Sequence, residues 1–113
     1  MPEHRKNNRR KVNYYMPVVD VNSGEIFGHL NDISPQGLMI DTKHKLTNSS
    51  VYHLSMETSA DIASTPSIDF KVRVKWSQND WIQPFIFNVG MEIVEISPQA
   101  SEVLKNIQEK YGA

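Results

Sequence analysis

The sequence predicts a mainly β protein: a small six-stranded antiparallel β-barrel with one C-terminal α-helix. Three observations predict this fold class. Residues 68–76 (IDFKVRVKW) alternate apolar and polar side chains, five other short runs are rich in β-branched or aromatic residues, and the chain ends in a helical pattern. Because turn sequences separate most of the runs, local hairpins are expected, and the helix would cover an open end or edge of the barrel.

The other predicted strands cover residues 12–20, 25–30, 37–41, 51–56 and 85–96. Asn22, Ser23 and Gly24 supply turn chemistry between the first two strands. Residues 57–67 are expected to form a long loop and residues 78–84 a turn. In the alternating run, the aromatic ring of Trp76 is predicted to face the core.

The last element is predicted as a helix over residues 98–111. Ser97 is a good N-cap and Pro98 a good first helical residue. The apolar positions that follow fall on one helical face, namely Ala100, Val103, Leu104, Ile107 and Tyr111, and Gly112 would end the helix. This amphipathic helix is therefore expected to pack on the barrel.

Composition limits the class of protein. The 113 residues, 39% of them hydrophobic, are enough for one domain with a single modest core. The chain contains no cysteine, so disulfides and thiolate metal sites are excluded. No apolar run approaches the roughly 20 residues of a membrane span, and no signal peptide is recognised. A cytoplasmic protein without a membrane span is expected.

Charge is distributed unevenly along the chain. Residues 1–11 carry five basic side chains against Glu3, whereas residues 12–113 carry 7 basic and 12 acidic ones, a net charge of −5. The interpretation is a flexible basic arm over residues 1–11 followed by the barrel domain over residues 12–113. Such an arm is typical of proteins that bind an anion, although a solvated tail has the same composition.

Motifs for catalysis or metal binding are missing. The four histidines do not show the i, i+4 spacing of a helical metal motif, and neither a phosphate-binding P-loop nor a dinucleotide fingerprint occurs. His29, Asp32 and Ser34 are close in sequence but lack a nucleophile elbow. We therefore expect no enzyme activity, no metal and no cofactor.

Two short motifs carry the functional prediction. Arg5 and Arg9 form an R-x-x-x-R, and Asp32, Ser34 and Gly37 form a D-x-S-x-x-G. In this order, on a small barrel with a C-terminal helix, they resemble the PilZ domain family, and the resemblance covers essentially the whole chain. It implies a bacterial receptor for the second messenger cyclic di-GMP.

The chemistry of that ligand agrees with these residue types. Cyclic di-GMP carries two phosphates and two guanines, so Arg5 and Arg9 would bind phosphate oxygens and guanine acceptor edges or stack on a base. Asp32 would accept from guanine nitrogens and Ser34 would hydrogen-bond the ligand. Gly37 is expected to take φ > 0 and allow close approach.

Several alternatives stay open. Lys6 and Arg10 form an overlapping register, so Arg10 is a further candidate ligand-binding residue. Asp32, Ser34 and Gly37 would also suit a turn with no ligand.

The polar composition of the arm suggests that it is flexible without ligand, and we predict that its ordering over the ligand changes the surface offered to an unidentified protein partner. The competing functions are a PilZ-type adaptor that binds no ligand, and a small barrel that binds nucleic acid.

Overall fold

The computed structural model describes residues 10–11, 16–34 and 37–111, with the side chains of residues 10, 11 and 111 left out of the description. The elements are β1 (Arg10–Lys11), β2 (Pro17–Asp20), β3 (Ile26–Ser34), β4 (Gly37–Thr42), β5 (Val51–Glu57), β6 (Ser67–Asn79), β7 (Phe87–Glu95) and α1 (Pro98–Tyr111). Arm residues 1–9 and the start of the first predicted strand, residues 12–15, lie outside the described part.

The strands form one antiparallel sheet that closes on itself. Its order is β1-β3-β2-β5-β6-β7-β4, and β4 also pairs with β3, so strands β2 to β7 make a six-stranded barrel. The two-residue β1 extends the sheet beside β3. The predicted fold class, a six-stranded antiparallel barrel with a C-terminal helix, is confirmed.

Apolar side chains of alternate strand positions fill the barrel. The fully buried ones include Leu30, Ile33, Leu38, Ile40, Leu54, Met56, Val72, Val74 and Val89. Paired residues of neighbouring strands form rows of inward-facing side chains across the sheet. In one such row, Ile33 pairs with Leu38, Leu38 with Met91 and Met91 with Val74. Since successive residues of a strand alternate between faces, the rows between them point outward.

Helix α1 begins and packs as its sequence predicts. The Ser97 hydroxyl accepts a hydrogen bond from the Ala100 amide at 3.0 Å, which is N-cap geometry. Its buried face consists of Ala100, Val103, Leu104 and Ile107. The Gln108 side-chain amide donates to the Ile33 carbonyl at 3.5 Å, so the helix lies near the end of β3. No helix in the described ranges is long and apolar enough to cross a membrane.

Two local predictions were wrong. Residues 31–34 fall between the predicted strands 25–30 and 37–41, but they belong to β3, so Asp32 and Ser34 are strand residues. Trp76 was assigned to the core, but 38% of it is exposed. The register of β6 against β7 shifts between Val74 and Trp76, and this bulge at Lys75 moves the indole to the outer face.

Candidate functional site

The outer face of β3, β4, β7 and β6 carries three rows of paired residues. The row nearest the end of β3 contains Ser34, Gly37, Glu92 and Arg73. The middle row contains Asp32, Met39, Gly90 and Trp76. The third contains His29, Asp41, Asn88 and Gln78. Neighbouring strands lie about 4.8 Å apart, so each row crosses the four strands in about 14 Å. We call this surface the outer-face strip.

Asp32 and Ser34 occupy the β3 edge of the strip. Both alternate with buried Ile33, yet they are only 6% and 4% exposed. The Ser34 hydroxyl donates to the Gly37 carbonyl at 3.3 Å, which joins the last residue of β3 to the first of β4. The carboxylate and the hydroxyl are thus held on rigid strand backbone.

The end of the basic arm lies beside Asp32. In β1, Lys11 pairs with Asp32 and Arg10 pairs with Ile33. Paired residues of neighbouring antiparallel strands have Cα atoms about 4.5–5.5 Å apart. The backbone of residues 10–11 therefore joins the sheet at the same β3 residues that carry the D-x-S motif. Arg5 and Arg9 lie outside the described residues, and so does the side chain of Arg10.

The structure requires glycine at position 37 for a reason different from the predicted one. A Cβ on Gly37 would fall 2.1 Å from the Met91 carbonyl oxygen, so the close approach of β4 and β7 leaves no room for a side chain. Its φ is not positive; among the described glycines, only Gly24 has a positive φ. The expected φ > 0 was wrong, because Gly37 begins a strand instead of ending a turn.

Trp76 forms an aromatic surface in the middle row. A Cβ on Gly90 would lie 2.2 Å from the indole Cε2 and Nε1 atoms, so the ring lies directly on the backbone of β7. Its partial exposure leaves aromatic surface open to solvent. Sequence reasoning missed this surface, although the glycine within a strand was a usable signal, because it often marks the close approach of another group.

A polar cluster around Asp41 completes the third row. The Asp41 carboxylate accepts hydrogen bonds from the amides of Asn31 (2.9 Å) and Asn88 (2.7 Å). His29 Nε2 lies 3.3 Å from the same carboxylate. Asn31 Oδ1 is buried and has no hydrogen-bond partner among the described residues. This cluster therefore fixes the side chains next to Asp32.

The basic stripe of β6 is paired with acids of β7. Arg73 and Lys75 lie 3.4 and 3.1 Å from the Glu92 carboxylate, and Lys71 lies 3.8 Å from Glu95. The three basic side chains are half exposed or nearly so. Such surface pairs add little stability, but they reduce the positive charge of the stripe.

Within the described ranges, no three histidine or acidic side chains are grouped closely enough to hold a metal ion.

Comparisons with known proteins agree on one family. A family profile described as "PilZ domain" matches residues 3–109. A search of curated protein sequences found no significant match.

Solved structures resemble the whole fold at low sequence identity. The Bacillus subtilis inhibitor of motility MotI/DgrA is 14% identical, with a TM-score of 0.73 over 97% of this chain and 53% of that one. The PilZ domain of Escherichia coli YcgR, described with c-di-GMP, is 12% identical, with a TM-score of 0.66 over 93% of this chain and 88% of that one.

A third structure, the complex of K. pneumonia MrkH with c-di-GMP, is 14% identical, with a TM-score of 0.67 over 96% of this chain and 52% of that one. The present chain thus spans about half the length of the MotI and MrkH chains.

Proposed function

The chain belongs to the PilZ domain family, and from this premise we propose that it is a receptor for the bacterial second messenger cyclic di-GMP. Two of the structures that share its fold, those of YcgR and MrkH, are described with that ligand. The proposal concerns binding and signalling, and no catalytic step is assigned to the domain.

The observation that carries the proposal is the pairing of β1 with β3. Because Lys11 lies opposite Asp32, the basic arm enters the sheet beside the acidic and hydroxyl side chains of the D-x-S motif. A ligand that offers both phosphates and guanine edges needs cationic donors and anionic acceptors close together. We assign Arg5, Arg9 and Arg10 to the phosphates and guanine acceptor edges.

Asp32 and Ser34 are assigned to the guanine donor edge. The motif faces outward from β3 although both side chains are nearly buried, so a hydrogen bond from the ligand would act in a partly dehydrated setting. Gly37 contributes indirectly, because its lack of a side chain lets β4 approach β7 and keeps its carbonyl within reach of Ser34.

Trp76 is assigned a stacking role. Its indole is backed by Gly90, and it lies in the same row as Asp32, with Met39 between them. The distance from the backbone of Asp32 to that of Gly90, over which the ring lies, is about 10 Å, two strand spacings. A base that stacks on the ring would gain aromatic contact without losing contact with the Asp32 edge of the strip.

Isothermal titration calorimetry of the full chain with cyclic di-GMP tests the proposal. We expect saturable binding that GTP does not reproduce and that Asp32→Ala and Trp76→Ala both weaken. Asp69→Ala and Trp81→Ala are the matched controls, because these two exposed side chains lie outside the outer-face strip and should leave the affinity unchanged. A flat titration of the folded protein would contradict receptor function and favour the adaptor.

One observation favours a second candidate, binding of single-stranded nucleic acid. The exposed indole of Trp76 is the kind of surface on which bases of any sequence stack. The same titration with a short oligonucleotide separates the two. Oligonucleotide binding that is stronger than cyclic di-GMP binding would contradict the messenger assignment.

We also propose that ligand binding orders the part of the arm that precedes β1, and that this changes the surface offered to a protein partner. The sequence does not identify this partner.

A further inference from the structure

The hairpin loop between β6 and β7 exposes three large apolar side chains. Trp81, Ile82 and Phe85 are 92%, 74% and 83% exposed, more than any other large hydrophobic residue in the described ranges. Isolated exposed apolar residues are common, but three within five positions of one loop form a patch. Such patches are typical of surfaces that meet another molecule.

Hydrogen bonds fix the conformation of this loop. The Asp80 carboxylate accepts hydrogen bonds from the amides of Ile82 and Gln83 at 3.0 and 2.9 Å. The Asp80 amide donates to the Ile86 carbonyl at 2.8 Å, and the Asn79 side chain donates to the Pro84 carbonyl at 3.1 Å. The apolar side chains therefore project from a turn that these side-chain and backbone hydrogen bonds hold in place.

Two lysines follow β4 at the same end of the barrel as the hairpin. The register places Thr42 opposite Phe87 and Phe87 opposite Asn79, so the chain that leaves β4 emerges at the same end of the barrel as the loop. Lys43 and Lys45 follow Thr42 at this end, and both are exposed, while His44 between them stacks on Phe27 of β3. Neither lysine makes an ion pair with the described part of the chain.

Two acidic residues of this end, Asp20 and Glu25, lie on its far side. Asp20 and Glu25 flank the turn between β2 and β3. In the closed ring of six strands, β2 lies opposite β7, so these carboxylates are separated from the hairpin by the width of the barrel. Near the hairpin, the Asp80 carboxylate accepts hydrogen bonds from two backbone amides, and the Asp41 carboxylate accepts hydrogen bonds from the Asn31 and Asn88 side chains.

We propose that this hairpin is a membrane-contact element, which inserts Trp81, Ile82 and Phe85 into the surface of a bilayer that contains anionic lipid. Aromatic and large aliphatic side chains are favoured at the boundary between headgroups and acyl chains, and neighbouring lysines attract anionic headgroups. A projecting tip can insert into a lipid surface, because lipids rearrange around each inserted side chain. The same tip could bind a protein only if that protein had a pocket of matching shape. This contact is made at the end of the barrel, and membrane binding through the hairpin does not require cyclic di-GMP.

Flotation with vesicles tests the inference on the full chain. We expect the protein to bind vesicles of mixed phosphatidylglycerol and phosphatidylcholine, and to bind pure phosphatidylcholine more weakly. The double variant Trp81→Ser, Phe85→Ser should lower the partition coefficient by at least about tenfold, because both aromatic anchors are lost. Lys43→Ala with Lys45→Ala should lower it severalfold, and on anionic vesicles only.

The basic arm requires a control, since residues 1–11 also attract anionic vesicles. Binding through the arm alone would be unaffected by the two serine substitutions, and this result would overturn the proposal. Quenching of tryptophan fluorescence by brominated lipid gives a second readout. The quenching should persist in Trp76→Phe and disappear in Trp81→Phe.

Two further outcomes would overturn the proposal. One is the absence of binding to anionic vesicles by the wild-type protein. The other is concentration-dependent dimerisation in sedimentation equilibrium that the double serine variant abolishes, because it would assign the hairpin to a second copy of the chain. The tip residues are exposed, so the variants should fold, and circular dichroism with thermal melting verifies this.

Discussion

The indole of Trp76 lies on the backbone of Gly90, so closely that a methyl group on residue 90 would be 2.2 Å from two ring atoms. The contact depends on two features that are distant in sequence: a bulge in β6 that turns Trp76 outward, and a residue without a side chain at the facing position of β7. Together they make an aromatic surface in the same row as Asp32.

Gly90→Ala should displace this ring. Overpacking of this kind costs about 1–3 kcal/mol of unfolding free energy, which urea denaturation measures. Because the displaced indole no longer lies in the strip, we also expect cyclic di-GMP affinity to fall about tenfold, equivalent to about 1.4 kcal/mol. Gly24→Ala is the control: its Cβ would have open space, so only the positive φ is strained and affinity should be unchanged. A destabilised Gly90→Ala protein with wild-type affinity would remove Trp76 from the site.

Gly37→Ala tests whether this motif glycine is required by the fold. The added methyl group would meet the Met91 carbonyl oxygen at 2.1 Å, so the free energy of unfolding should fall by about 1–3 kcal/mol without any ligand. Gly28→Ala offers a matched comparison, because its Cβ would meet the Asp41 carbonyl oxygen at 2.3 Å. Similar losses in the two variants are expected. A fully stable Gly37→Ala protein would contradict the steric explanation.

Much of the fold could be predicted because its signals are local. The N-cap at Ser97 and the apolar spacing define the helix over Pro98–Tyr111. Alternation similarly identifies the inward residues of β6 as far as Val74. After Val74 the prediction fails because of the bulge. A bulge is a mismatch between two paired strands, so the alternation of apolar and polar residues within one strand does not reveal it. The turn sequence from Asn31 to Gly37 misled for a related reason: pairing with β4 extends β3 through Ser34.

The site could be predicted only in part. The D-x-S-x-x-G spacing predicts Asp32 and Ser34 as ligand-binding residues, and this stays a prediction; the strand pairing places Asp32 opposite Lys11 of β1. The Asp41 cluster was missed because the two asparagines that donate to Asp41 are 10 and 47 residues from it in sequence. Contacts of that range depend on the register of whole strands, which short motifs do not encode.

Asp41→Ala should destabilise the outer face of the barrel. It removes the acceptor for the Asn31 and Asn88 amides and leaves both part-buried donors without their partner. The expected loss is about 1–3 kcal/mol of unfolding free energy in urea denaturation. Asp69→Ala is the control, because that carboxylate is 62% exposed and pairs with His53 at the surface, so a change within about 0.5 kcal/mol is expected. Equal effects of the two substitutions would mean that the cluster adds no stability.

Alanine substitutions in the arm should weaken cyclic di-GMP binding without affecting the fold. We expect Arg5→Ala and Arg9→Ala each to lower affinity about tenfold to a hundredfold, since each removes a charged fork worth about 1–3 kcal/mol. Arg10→Ala tests the alternative register of the arm. Lys105→Ala, on the exposed side of α1, controls for loss of one positive charge and should bind as the wild type does. Wild-type affinity in Arg9→Ala would show that another basic residue fills its role.

Ligand binding should slow amide hydrogen exchange in residues 4–12. Phosphates that engage the arginines would neutralise their mutual repulsion and hold the arm against the β3 edge where β1 already pairs with Asp32. Exchange measured by mass spectrometry with and without saturating cyclic di-GMP should therefore differ in this segment and stay constant in α1. Asp32→Ala at the same ligand concentration should reduce the protection, because less complex forms. If residues 4–12 exchange equally fast in the free and saturated wild-type protein, the arm does not carry the signal, and the change offered to a partner must arise on the barrel itself.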